Sequence, residues 1–356
     1  MNVIIKEIAI NVCTKDELMF GKETATLNAI QSNLYEAIIH ALVKKMFQTI
    51  GLDSIIPTLY EISSRIYEYA YKNIVKIPSD IKSINMVMEY VHGYTFYDYC
   101  KVQMTKIHNA AFHDHMPLPI LNARIRNEKL FIDVLVQLCC YLDVLQTNLR
   151  FNHRDLNINN ILVRKNKKSR LFSTIRNIIH PALLTNYECK TDIVIIDFGF
   201  SCLACEKSNK SCLEAGSYFN HNDDCLKKGR DICLFLYSFN AIFPFIHHFS
   251  SNFCNFLQSL LIAIDNKENK YNLLNGISSR KDGFERRNSR ETKENIIVHT
   301  KSEIYSTIED EKILKESDKL SFNEDIYIFL KREEIEVPFC EPTKVLELLQ
   351  KYGYVL

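Results

Sequence analysis

Glycine is scarce in this chain. Nine glycines are spread over 356 residues, and Gly21 is the only one among the first fifty. A glycine-rich loop that wraps a phosphate in backbone N–H groups therefore has no counterpart near the amino end. Net charge is nearly absent too, at a formal +1, so no global field draws the chain to nucleic acid or to an anionic membrane. No apolar run reaches the ~20 residues of a membrane span. The nearest, Ile232 to Phe249, is interrupted by Asn240, Pro244 and two histidines and suits a buried helix. Met1 leads directly into strand-like and charged sequence, so no export signal is read. No internal repeat is found. With 47% hydrophobic and 24% charged residues, the expectation is a globular, cytoplasmic protein with a sizeable core.

Cysteine is plentiful by comparison. Twelve cysteines in a chain without an export signal read as reduced thiols. Cys202 and Cys205 have C-x-x-C spacing, with Cys212, Cys225 and His221 following. A structural zinc held by Cys202, Cys205, Cys212 and Cys225 is the alternative to free thiols.

The most specific pattern lies mid-chain. His153-Arg154-Asp155-Leu156 leads to Asn160, and Val194-Ile195-Ile196 leads to Asp197-Phe198-Gly199. Ile161–Val163 and Val194–Ile196 read as short buried strands. Either tripeptide alone arises easily by chance; the pair, in this order and each joined to an apolar strand, is far more restrictive.

Together these segments resemble the catalytic and metal-binding loops of the protein kinase family. The resemblance implies an α+β, two-lobed fold: a small β-rich N-lobe, truncated and without its Gly-rich loop, and a mainly helical C-lobe. It also implies ATP and Mg²⁺ as cofactors. Phosphoryl transfer needs positioning and charge neutralisation more than covalent help. Asp155 is then the base for the incoming hydroxyl, with His153 and Arg154 shaping its loop. Asn160 and Asp197 supply oxygen ligands to Mg²⁺, beside Phe198 and Gly199. Lys6, in Val3-Ile4-Ile5-Lys6, is the candidate phosphate clamp, and Glu36 its anchor. Glu36 sits on an amphipathic helix whose apolar positions are Leu34, Ile38, Ala41, Leu42 and Met46. Met86–Val91 is the strand into the hinge, where backbone groups of Glu89 and Val91 face the adenine and Gly93 permits the turn. Asn127–Asn148 is a core helix carrying Phe131, Val134, Leu135, Leu138, Leu142 and Leu145. Asp231 is either the aspartate that ties down the catalytic loop or an ordinary helix cap.

Departures from the family narrow the reading. Lys6 is too close to Met1 for the two strands expected before it, so either an upstream segment precedes it or the lid is missing. Asn157 stands where serine/threonine kinases usually carry Lys, and no A-P-E triplet follows the second loop. The activation segment, with Ser201, Ser208, Ser211 and Ser217 as candidate phosphorylation sites, is similar to those of kinase homologues of large DNA viruses. That similarity extends the expected location to a host cell or virion.

The expected organisation is an N-lobe at 1–90, a C-lobe at 91–264, a charged flexible insertion at 265–322 and a helical tail at 323–356. Order returns near Asp325–Ile328, and the tail helix starts at Pro342 and stops at Gly353. A basic insertion separates Val163 from Thr191. The expected function is transfer of phosphate to serine or threonine hydroxyls of a protein substrate, with no nucleic-acid or membrane partner. A pseudokinase that regulates partners, or a small-molecule kinase, are the alternatives.

Overall fold

The computed structural model describes residues 2–10, 22–66, 81–104, 118–165, 187, 189–204, 211–216, 225–265 and 337–355. The expectations for Cys205, Ser208, Ser217, His221, Asp325–Ile328, the insertion 266–322 and most of the basic insertion lie outside these residues.

The fold is α+β. Three strands, β1 (Val3–Ala9), β2 (Leu59–Ile66) and β3 (Ile81–Glu89), form an antiparallel sheet in the order β1-β3-β2. Lys6 pairs with Met86 across the sheet. Strand alternation puts Lys6 and Ile8 on the more buried face of β1, with Val3, Ile5 and Glu7 exposed.

Helix α1 (Lys22–Thr49) follows β1 and is longer than its apolar pattern suggested. Its orientation corrects the sequence reading. Leu34, Ile38, Ala41 and Leu42 are exposed, whereas Glu36, Ile39, His40, Val43 and Phe47 are buried. Apolar residues surround much of this helix, so hydrophobic spacing did not define one face. The buried stripe is the one that contains Glu36, and the ion pair described below requires that rotation.

The second sheet is antiparallel in the order β4-β5-β6, from Tyr94–Thr95, Ile161–Lys165 and Thr191–Ile195. Gly93 precedes β4, and any Cβ there would lie 2.9 Å from the Val163 carbonyl oxygen, so close approach selects glycine. Strand β6 is fully buried although it lies at the sheet edge. Gln137 covers that edge: its Nε2 donates to the Thr191 carbonyl at 2.9 Å, and its Oε1 accepts from the Ile193 N–H at 3.2 Å.

Gln137 lies on α3 (Leu118–Leu149), which follows the short α2 (Phe96–Gln103). The six apolar positions expected to face the core, from Phe131 to Leu145, are all fully buried. Helix α3 is long and apolar enough to cross a bilayer, yet 83% of its most apolar window is buried inside the fold, as a central core helix requires. Phe131 packs against Phe235 and Phe239 of α4 (Arg230–Ile242), with centroids 5.6 and 4.6 Å apart. Helices α5 (Ser251–Asp265) and α6 (Pro342–Lys351) complete the layer; α6 starts on Pro342, and Gly353 beyond its end has φ 75°.

The cysteine expectation is corrected. Cys202 and Cys225 form a disulfide, their Cα atoms 5.8 Å apart, and Cys212 is also disulfide-bonded. These three are therefore neither free thiols nor zinc ligands in this structure. Seven other cysteines among the described residues are free and buried. Composition weighs redox environment but cannot show which sulfurs the chain brings together.

His40 is a buried histidine whose Nε2–H donates to the Pro57 carbonyl at 2.7 Å. Burial lowers its pKa; the bond to Pro57 opposes this, while Lys44 and Lys6 add to it. A depressed folded pKa means that the unfolded chain takes up the proton first as pH falls. The resulting stability is fully present above the unfolded value near 6.5 and is lost below it. The His40→Gln variant should thus lose less Tm than the parent between about pH 7 and pH 5, as followed by circular dichroism; equal losses contradict this account.

Candidate active site

The catalytic-loop residues are held from beneath by one carboxylate. Asp231, in the first turn of α4 and fully buried, accepts from the His153 N–H at 2.8 Å and the Arg154 N–H at 2.9 Å. It also accepts from the Asn152 side chain at 3.0 Å. Asp231 is therefore the loop anchor rather than a helix cap. Gly229 makes its placement possible: φ is 76°, and a Cβ there would fall 2.0 Å from the Val337 carbonyl oxygen. Arg154 has φ 62°, a left-handed value that a non-glycine residue adopts only under constraint, and the Asp231 bonds supply it.

From this anchor the loop turns outward. Asp155 is part-exposed, and its carbonyl accepts from the Asn157 N–H at 2.9 Å and from Asn160 Nδ2 at 2.8 Å. With Nδ2 donating inward, Oδ1 is the Asn160 atom available to a cation. The Asn160 carbonyl accepts from the Ile196 N–H at 3.0 Å, which seats Asn160 beside the residue preceding Asp197. His153 is fully buried and donates from Nε2 to the Ile196 carbonyl at 3.0 Å. The two loops are thus tied by direct hydrogen bonds.

Asp197 also has a left-handed φ, 65°, and projects towards the first sheet. Lys6 Nζ lies 2.6 Å from Asp197 Oδ1 and 2.5 Å from Glu36 Oε1. One ammonium therefore joins β1, α1 and the loop after β6. Burial alone would lower the Lys6 pKa, but Glu36 and Asp197 outweigh it and raise the value. Burial pushes Asp197 up, but Lys6 dominates and holds it below the usual carboxylate range. Burial wins at Glu36, which is raised despite Lys6. The cluster thus sets one ammonium between two carboxyl groups, one of them, Asp197, with its side chain 43% exposed.

Phe198 turns the other way. It is fully buried, with ring centroids 5.2 Å from His40 and 5.4 Å from His153. Gly199 is closely surrounded: a Cβ would meet Asp197 Oδ1 and Glu36 Oε2, each at 3.3 Å, so both carboxyl groups would have to give by a few tenths of an ångström. At the end of β3 the Glu89 N–H donates to the Thr58 carbonyl at 2.8 Å, and the Glu89 carboxylate accepts from the Thr58 N–H and hydroxyl. The N–H of Glu89, one of the backbone groups expected to face an adenine, is thereby committed within the fold. Val91 lies just beyond β3 and is half-buried.

Sequence reasoning missed Glu214. Strands β7 (Cys202–Ala204) and β8 (Ser211–Glu214) pair as a hairpin, with Cys202 opposite Glu214. This brings Glu214 Oε1 to 2.5 Å from Nη1 of the fully buried Arg154. No spacing rule points to Glu214; only the hairpin register delivers it. The signal available was chemical, since a buried arginine beside Asp155 needs an anion. Ser201, one of the candidate phosphorylation sites, is fully buried and donates to the His153 carbonyl at 3.3 Å.

Removing the Asp231 carboxylate would take the acceptor from the His153 and Arg154 N–H groups and leave the Asn152 side chain with its bond to the Lys227 carbonyl. Each such orphan costs about 1–3 kcal/mol, so Asp231→Ala should destabilise the fold by about 2 kcal/mol or more in urea unfolding. A loss below about 1 kcal/mol contradicts the anchoring role.

The geometry and the family comparison meet at the same residues. No curated protein sequence matches the chain. The family described as Haspin like kinase domain matches residues 6–231, so the match runs from Lys6 to Asp231. That span covers more than half of the 356 residues, and the chain belongs to the haspin-like kinase domain family.

Proposed function

We propose that this chain is an ATP- and Mg²⁺-dependent protein kinase that phosphorylates serine or threonine hydroxyls, with nucleotide held between a small sheet-bearing lobe and a helical lobe. The observation that carries the reading is the Lys6 ammonium held jointly by Glu36 and Asp197. A lysine oriented by a helix glutamate is the arrangement that clamps α- and β-phosphates. Asp197 then has an alternative partner to Lys6, and its carboxylate and Asn160 Oδ1 are hard oxygen donors suited to Mg²⁺. When bound, Mg²⁺ supplies neutralisation of the triphosphate charge.

The remaining work falls to this chain's own groups. Asp155, part-exposed on a loop fixed from below by Asp231, accepts the proton of the incoming hydroxyl. Arg154, paired with Glu214, holds the activation hairpin against that loop without a phosphate on the segment. Asn157 stands where a lysine is usual, so the charge beside the transferring group comes from Lys6 and the cation. Fold alone would not assign this chemistry; the converging side chains support it.

The test is transfer of radiolabelled γ-phosphate from ATP to a panel of proteins, with phosphoamino-acid analysis of the product. The parent should label serine or threonine, and Asp155→Asn should lower the rate ~10²–10⁴-fold while ATP binding persists. Equal rates for the two forms contradict the assignment of the base. Label found only on metabolites makes the chain a small-molecule kinase, and binding without transfer makes it a pseudokinase.

A further inference from the structure

A groove of about 690 Å³ lies along α3, and none of its lining residues belongs to the cluster around Asp155 and Asp197. Thr191, at the opening of β6, forms part of it. Asp197 follows the far end of that strand, so the groove sits roughly 15–20 Å from the metal-binding carboxylate by strand geometry.

Four observations describe what the groove fits. Asn122, Arg126, Lys129 and Asp133 line it from successive turns of α3, which spans about 16 Å of helix axis. That length matches an extended peptide of about five residues better than a compact small molecule. The charge is predominantly positive, with Arg126, Lys129 and Lys190 against Asp133. Asp133 is already committed: it accepts from the Tyr187 hydroxyl at 2.6 Å and from the Lys190 N–H at 3.1 Å. It positions those two residues rather than opposing an incoming anion.

The other two observations concern the walls and the floor. The buried Tyr99, with Leu130 and Tyr354, makes the wall largely apolar. At the floor, Thr191 is only 5% exposed, and its hydroxyl has no hydrogen-bond partner among the described residues.

The geometry points to a docking site for an extended acidic peptide of a partner protein, one that alternates carboxylates with apolar side chains. The carboxylates meet Lys129, Lys190 and Arg126, and the apolar side chains lie against Tyr99 and Leu130. Binding here does not depend on the transfer reaction, so the two readings stand or fall separately.

The test uses the full chain and fluorescence anisotropy of a fluorescein-labelled hexapeptide of alternating glutamate and leucine. Its counterpart of alternating lysine and leucine and a labelled hexathymidylate serve as controls. The parent should bind the acidic peptide saturably, and more weakly as salt rises. The double variant Lys129→Glu with Lys190→Glu should bind at least about tenfold more weakly, and Lys129→Ala with Lys190→Ala by a smaller factor. Both variants change exposed side chains, and thermal melting should show them folded. Three results overturn the proposal: no saturable binding of the acidic peptide by the parent, unchanged affinity in the charge-reversed variant, or tighter binding of the oligonucleotide, which would make the groove a phosphate site.

Discussion

One ammonium group holds the site together. Lys6 Nζ touches Glu36 from α1 and Asp197 from the loop after β6, and through them it joins the first sheet to the second. Desolvating three charges is unfavourable, and the groups respond as electrostatics requires: Lys6 stays charged, Asp197 stays ionised and Glu36 is raised by burial. The cluster is thus a poor choice for stability alone and a good one for chemistry. A cation bound at Asp197 would compete with Lys6 for the same oxygen and turn the ammonium towards phosphate.

Other features follow from that contact. The rotation of α1 buries Glu36, Ile39, His40, Val43 and Phe47 and leaves Leu34, Ile38 and Leu42 exposed. His40, one turn after Glu36, then packs against Phe198, whose burial aims Asp197 outward. On the other side, Asp231 fixes Asn152, His153 and Arg154, and Arg154 in turn takes Glu214. Asn152 also pairs its backbone with Cys202, so the disulfide to Cys225 lies directly beside the anchored loop. A chain of direct contacts therefore runs from Lys6 to the activation hairpin.

The sequence made the polar centre legible and its surroundings less so. The paired loop patterns limit residue type and spacing, so the two segments that carry Asp155, Asn160 and Asp197 could be expected to meet, and Lys6 and Glu36 could be placed near them from strand and helix context. The core of α3 was legible because every apolar position from Phe131 to Leu145 is buried. The face of α1 was not, because an ion pair rather than hydrophobic periodicity chose it. Glu214 reaches Arg154 only through a hairpin register, and the Cys202–Cys225 bond joins residues 23 apart in sequence, so neither shows in a local pattern. The Gln137 cap on β6 likewise needs three-dimensional adjacency that no local pattern encodes.

The central claim is that these side chains form one magnesium–triphosphate site. Calorimetric titration of ATP with and without Mg²⁺, on the parent and on Asp197→Ala, tests it most directly. The account predicts that Mg²⁺ tightens nucleotide binding to the parent by about tenfold or more and has little effect on the variant. Nucleotide affinity that ignores Mg²⁺ in the parent, or a Mg²⁺ effect that survives loss of the Asp197 carboxylate, would contradict it.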